Sequence, residues 1–384
     1  VRLWAFSFFL LLFFYSFDSY ALLTEISYWQ RSPRALLMGD AYTSQAEDEY
    51  TLFYNPAGLA RNGGVELSWL NPDISASNYL QKTDLFQNIP STPSGIADRF
   101  TGVPIYLKAG ITPSVKMGPI GFSFLSSFRT DFALRNKIYP MIDLKYGSDK
   151  GFVVGYAHTF GKGAKIRYEK GKIVRDNGIW SSVGASVKYI TRQAINREFA
   201  LFGPTIYNTV INNNTSDPET LLKTFGLVEG QALGLDVGFI QAYTSKYSEL
   251  AFGLAVLDVS TTSFTVPSGT EYPLEPYRMQ INSGIHWKQD FYLIDYSLSV
   301  DVRPLNWDIP FSRKLRWGAS IGLPFVRVFT GMSEGFTSQG VELNLWPIKI
   351  VAGLYSVETG TKDVSEKTDR FILYLNLLNI ALDI

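Results

Sequence analysis

The sequence predicts an all-β protein, a transmembrane antiparallel β-barrel of about fourteen strands. Apolar residues alternate with polar or small ones through most of the chain, the period of a strand. Tyr292, Ile294, Tyr296, Leu298, Val300 and Val302 fall on one face, and Asp295, Ser297, Ser299 and Asp301 on the other. The runs extend to about 9–11 residues, the length that crosses a membrane at a tilt, whereas soluble strands average about 5–6. The faces also look inverted. The polar face mixes charges (Glu66, Lys108, Lys188, Asp236, Arg278, Asp295, Asp301, Arg316, Arg327, Glu342, Lys349) with glycines such as Gly110, Gly155, Gly184, Gly234, Gly284 and Gly353. The apolar face carries no Lys, Arg, Asp or Glu, as lipid demands where a charge at the midplane costs ~2–4 kcal/mol.

Composition agrees. Of 384 residues, 18% are charged and 15% aromatic. The 35 basic and 35 acidic residues cancel, which excludes a strongly basic nucleic-acid footprint. The absence of Cys removes a disulfide framework, a thiolate metal site and a lipoprotein anchor. Two histidines, His158 and His286, leave little for imidazole catalysis.

Residues 1–21 read as a cleaved signal peptide: Arg2, an apolar run over 3–17 broken only by Ser7, then Ser19-Tyr20-Ala21, a small-x-small cleavage site. The run of about 15 apolar residues is shorter than the ~20 a membrane helix needs. Residues 22–62 are less regular and form a separate N-terminal unit ahead of the barrel at 63–384. Within them Glu47-Asp48-Glu49 precede an apolar run, favouring a helix start through the dipole, and Asn55-Pro56 end it. Such a segment fits inside a lumen lined by small residues.

Strand candidates follow near 63–70, 104–112, 119–128, 138–146, 151–160, 180–191, 231–243, 248–257, 278–288, 291–302, 315–323, 325–333, 339–346, 348–356 and 370–382. An even strand number requires one to be dropped. With 138–146 assigned to a loop, turns near Met117, Ser245, Gln289, Pro324 and Pro347 face the periplasm. Connections 71–103, 129–150, 192–230, 258–277, 303–314, 334–338 and 357–369 then face outward. The long inward segment 161–178 is basic and reads as a solvated ribbon or an anion-docking arm. Asp217-Pro218-Glu219 has the form of a helix start with Pro at its first position. Trp69, Phe160, Trp180, Tyr243, Trp287 and Trp346 lie near strand ends, where interfacial girdles form.

Catalytic signals dissolve. Gly318-Ala319-Ser320-Ile321-Gly322 and Gly331-Met332-Ser333-Glu334-Gly335 match G-x-S-x-G, but the first lies inside an alternating strand and no His follows residue 286. His158 falls on the apolar face, and His286 on the lumen face as a hydrogen-bonded wall residue. No phosphate loop or metal-ligand spacing occurs, so the chain reads as a non-enzyme without a cofactor.

The stretches Met38-Gly39-Asp40-Ala41 and Tyr54-Asn55-Pro56-Ala57-Gly58-Leu59, with an acidic pair between them, resemble the N-terminal hatch of the FadL-like outer-membrane superfamily. That superfamily includes long-chain fatty acid transporters and the PorV-type proteins of type IX secretion. Gly234-Leu235-Asp236-Val237-Gly238 and Phe252-Gly253-Leu254-Ala255-Val256 look like PorV-type strands. Asp40 departs from the family's second Gly, and the ending Leu382-Asp383-Ile384 from the terminal aromatic of many outer-membrane barrels. The resemblance implies a fourteen-stranded barrel plugged by residues 22–62, with Gly39, Asp40, Ala41, Asn55, Pro56, Ala57, Gly58 and Leu59 as hatch residues. Arg278, Asp295, Asp301, Arg316, Arg327 and Glu342 are the polar groups expected to line the lumen. It further implies a monomeric outer-membrane barrel that takes hydrophobic small molecules and releases them sideways near Gly118-Pro119. The alternative it carries is a PorV-type barrel that grips a secretion machine or exported protein.

Overall fold

A computed structural model describes residues 25–382 except 62, 78–83, 85, 86, 89, 91, 137, 165, 170, 171, 201–221, 268–273, 292 and 360–366. One antiparallel sheet closes on itself as a fourteen-stranded barrel. The wall begins with β1 (Val65–Ser68 and Pro72–Ser77), β2 (Ile105–Ile111 and Ser114–Met117), β3 (Ile120–Arg135), β4 (Met141–Gly161) and β5 (Gly178–Ala200). It continues with β6 (Val228–Thr244), β7 (Ser248–Leu257), β8 (Gln280–Phe291), β9 (Ile294–Val302) and β10 (Leu315–Gly322). It ends with β11 (Val326–Ser333), β12 (Phe336–Leu345), β13 (Ile348–Glu358) and β14 (Lys367–Asn376 and Asn379–Leu382). β14 returns to β1 through Val65↔Leu382 and Arg370↔Ser77, so among the described strands the wall sheet has no open edge.

Alternation sets the faces. Along β6, Leu233, Leu235 and Val237 are exposed outward while Asp236 is buried inward. Phe122, Phe124, Phe152, Val154, Val183, Val187, Phe252, Ile285 and Leu298 continue the outer belt. In water so large an apolar surface is unfavourable, and in hydrocarbon each such side chain gains about 1.5–3 kcal/mol. Trp69, Phe160, Tyr243, Trp287 and Trp346 are exposed as a girdle requires. Trp180 is not. It is fully buried within the barrel, donating from Nε1 to Thr244 Oγ1 at 2.9 Å, with Arg61 over its ring.

The candidate strand 138–146 is part of β4 and not of a loop. β3 and β4 pair from Ile120↔Tyr156 to Arg135↔Met141, so the connection is residues 136–140 and not 129–150. The small residues Gly147, Ser148 and Gly151 hide the continuity from a hydropathy pattern. β5 likewise continues through residues read as loop. With 16, 21, 23 and 17 residues, β3 to β6 stand well above β9 to β11, which have 9, 8 and 8.

A bulge interrupts the wall where residues 69–71 of β1 oppose 112–113 of β2. The Asn71 side chain repairs the ladder, donating to the Thr112 carbonyl at 2.6 Å and accepting from its N–H at 2.9 Å. The basic segment forms a separate ribbon, Ile166–Glu169 against Lys172–Arg175. Residues 1–21 and the Asp217-Pro218 motif lie outside the described residues. No described helix is long and apolar enough to cross a membrane.

Candidate functional site

Residues 25–61 lie within the barrel and are largely buried. Their chain is shaped locally before it meets the wall. Ser32 caps the short helix α1 (Pro33–Leu37), its Oγ accepting from Ala35 N at 3.3 Å, and Pro33 starts the first turn. Gly39 and Asp40 then both take positive φ, 61° and 59°. Glycine adopts that region freely and Asp tolerates it, which explains how Asp40 stands where the related pattern has glycine. Helix α2 (Thr51–Tyr54) stops at Asn55, whose Oδ1 caps the 3-10 turn Pro56–Ala60 at Ala57 N, 3.1 Å. α2 follows the three acids as expected, and Asp48 Oδ1 accepts from the N–H of its cap residue Tyr50 at 2.9 Å. Glu47 faces Lys288, Asp48 accepts from Ser32 Oγ at 2.9 Å, and Glu49 accepts from the Tyr374 hydroxyl.

The wall is built to receive this segment. A Cβ at Gly318 would collide with the Met38 carbonyl, and one at Gly331 with Gly39 N. One at Gly184 would strike Pro56, and one at Gly238 the Asn55 side chain. The small lumen residues of the sequence are therefore contact points, which permit backbone to approach backbone.

Polar ties complete the fit. Asp40 accepts from Arg316 Nη1 at 2.7 Å and from Tyr54 Oη at 2.6 Å, and it pairs with Arg303. Arg34 grips Glu342 at 2.9 Å. Asp301 accepts the backbone N–H groups of Tyr42 and Thr43, both at 2.8 Å. Asn55 Nδ2 donates to the Thr43 carbonyl at 2.8 Å and reaches those of Phe239 and Leu254 at 3.3 and 3.4 Å. Ser182 Oγ donates to the Ala57 carbonyl at 2.8 Å, and Arg61 pairs with Glu249. At the start of the segment Glu25 accepts from both terminal nitrogens of Arg370, each at 2.9 Å, and from Arg31 at 3.0 Å.

Charge states follow these contacts. Burial works against ionised Asp40, but Arg303, Arg316 and Arg31 outweigh it and hold the carboxyl below its usual range. Burial likewise opposes ionised Glu25, yet Arg370 and Arg31 pull it down to about 2. Asp48 differs: burial, then the Glu49 charge, push it up to about 6.

The structure brings together most of the residues singled out from sequence. Gly39, Asp40, Ala41, Asn55, Pro56, Ala57, Gly58 and Leu59 are buried in the bore, and Asp301, Arg316 and Glu342 hold the segment. Asp295 and Arg327 pair with each other at 2.6 Å and are partly exposed, away from these ties. Arg278 is a correction: it precedes β8, outside the wall strand, and its guanidinium lies over the Trp307 ring at 6.0 Å. His286 is buried against Ser299 Oγ at 2.9 Å, and His158 is on the outer face. Arg303, Arg370 and Glu25 were missed. Arg370 sits at an inward position of an alternating strand and was legible there; Arg303 follows the last residue of β9 and carries no periodic signal.

Above the segment, the tall side of the wall encloses a cavity of about 500 Å³. Deeper voids against Trp29 and Gln30 hold only about 30 and 20 Å³, room for about one water and no more. Residues 258–267 and 274–279 narrow the same mouth by folding inward. Tyr277 is buried, accepts from Arg192, and donates to Asp149 at 3.1 Å.

No family model and no curated protein matches this chain. Among solved structures it is similar to the CymD monoaromatic hydrocarbon channel at 10% identity and TM-score 0.47, covering 92% of this chain and 98% of that one. A Pseudomonas aeruginosa FadL homologue gives 9% and 0.45, covering 92% and 99%. The Ralstonia pickettii toluene transporter TbuX gives 8% and 0.43, covering 90% and 98%.

Proposed function

We propose that this chain is an outer-membrane barrel that admits hydrophobic small molecules through a bore closed by residues 22–62. The observation that carries this reading is the arrangement of the bore: a closed barrel with an apolar exterior, an open cavity of about 500 Å³ at one mouth, and a filling segment below it. The segment is joined to the wall by discrete side-chain contacts at Asp40, Asn55, Arg34 and Glu25 and adds no strand to the sheet. Such ties break and re-form without unfolding the barrel. A molecule taken up at the mouth would move inward once they shift.

The test is uptake of radiolabelled hydrocarbons and fatty acids by cells that carry the native chain, the Asn55→Ala/Pro56→Ala variant, or no chain. The variant, confirmed as a folded barrel by heat-modifiable migration, should change uptake severalfold. Uptake equal to that of native cells would sink the reading.

A second reading, a protein-interaction barrel, is favoured by the ribbon Ile166–Glu169/Lys172–Arg175, which forms its own sheet apart from the wall. Its measurement is co-purification from the native membrane. A stoichiometric protein partner lost on deletion of residues 163–174 would support it, and a partner retained would exclude the ribbon.

A further inference from the structure

Two cations in the cavity at the barrel mouth have no partner among the described residues. Arg129 of β3 and Lys145 of β4 line it from adjacent strands, Arg129 opposite Gly147 and Lys145 opposite Asp131. Gly147 leaves the space in which the Arg129 side chain lies, since a Cβ there would touch it at 3.4 Å. Neither cation makes a hydrogen bond or ion pair with a described residue, and both act on the neighbouring acids only through space.

Those acids are engaged elsewhere. Glu25 is held by Arg370 and Arg31, Asp149 takes two bonds from Arg192 at 2.7 and 2.8 Å, and Asp143 pairs with Arg135 at 3.0 Å. Asp131 lies 4.0 Å from Arg370, and Glu275 accepts from Asn196 at 2.8 Å. The donors left over are one planar guanidinium and one ammonium, a pair suited to an oxyanion. Beside them the cavity is lined by Val228, Ile195 and Leu274, the last two buried.

We propose that this cavity binds a compact organic anion, its acidic group held between Arg129 and Lys145 and its apolar part against Ile195 and Leu274. The inference rests on the reading of the chain as a small-molecule barrel and narrows its ligand from any hydrophobic compound to one that carries a negative charge. Glu25 lines the same cavity, so the site adjoins the first described residue of the segment that fills the bore.

The probes are benzoate and benzyl alcohol, similar in size and different in charge, measured by equilibrium dialysis against the full chain in amphipol. Benzoate should bind at least about tenfold more tightly than the alcohol, the scale of a charge-assisted hydrogen bond. The Arg129→Gln/Lys145→Gln variant should lose that preference and keep its affinity for the alcohol. Arg135→Gln, at a cation already paired with Asp143, should change neither. Equal binding of both probes overturns the anion site while leaving an apolar-ligand barrel standing, as does a benzoate preference that survives the double substitution. If neither probe binds, the anion site falls, and the uptake comparison with Asn55→Ala/Pro56→Ala judges the wider reading separately.

Discussion

Arg316 of β10 donates a 2.7 Å hydrogen bond to Asp40, 276 positions earlier in the chain, and both side chains are almost wholly buried. Removing one member of such a pair strands the other in a dry site, at a cost of about 3–5 kcal/mol. Asp40→Ala leaves Arg303 as well as Arg316 uncompensated. It should therefore expose residues 25–61 to limited proteolysis while the barrel still migrates as folded. Asp40→Leu combined with Arg316→Met should be milder than Asp40→Leu alone, because it strands one buried cation, Arg303, and not two; equal damage from the double variant would contradict the ion-pair account.

Asn55 supplies a test of donor against acceptor. Its amide gives protons to carbonyl oxygens of Thr43, Phe239 and Leu254. Asn55→Ala loses a turn cap and these bonds, a cost of about 1–2 kcal/mol. Asn55→Asp keeps an acceptor for Ala57 N but turns a carboxylate toward the same carbonyls, so it should destabilise the segment more than Ala does. Hydrogen exchange at residues 51–60 measures the order of the two.

Gly318 and Gly331 face each other across β10 and β11, where Met38 and Gly39 press against the wall. A side chain there has backbone in its way and cannot be relieved by a rotamer change. Gly318→Val should keep residues 33–60 from seating, at more than the roughly 1–3 kcal/mol typical of overpacking. Protease sensitivity of an otherwise heat-resistant barrel is the readout.

Asp48 makes the seating of the segment depend on pH. Its folded value of about 6 is above the ordinary 3.8, so the folded state binds the extra proton between those limits. Stability of the segment therefore falls as pH rises through that window, by up to about 3 kcal/mol for a shift of this size. Glu25 acts oppositely: held at about 2, it stabilises above its ordinary 4.5 and loses that contribution as pH falls toward 2. Protection at residues 32–50, taken relative to the intrinsic exchange rate at each pH, should be greater at pH 5 than at pH 7.5, and Asp48→Asn should flatten that difference.

The outer face admits a direct comparison with the lumen. Leu235→Arg places a cation on the exposed belt next to inward Asp236, with an expected cost of about 2–4 kcal/mol at midplane depth. Asp236→Ala should act differently, leaving Lys188, which bonds Asp236 at 2.9 Å and Asp258 at 2.7 Å, with Asp258 alone. Urea titration of both variants in lipid vesicles separates a wall defect from a lumen defect.

Much of the wall was legible because a strand shows its two faces residue by residue. Leu298 and Asp301 can be assigned outward and inward from sequence alone, and the structure places them so. Trp180 was misread for the same reason: aromatic residues near strand ends serve either side of a wall, and only its position beside Arg61 places it inside. The strand 138–146 was misassigned because Gly147 and Gly151 look like loop residues in a pattern but are space for Arg129 and Trp29 in the fold.

By itself the sequence determined the inverted alternation and most of the strand positions, since each is a periodic property of neighbouring residues, and it marked residues 22–62 only as less regular. The tertiary structure alone decided which wall groups meet that segment. Asp40 joins Arg303 and Arg316, Glu25 joins Arg370, and Arg129 and Lys145 are left without a partner among the described residues, because barrel closure brings together positions whose separation in the chain carries no record of their contact.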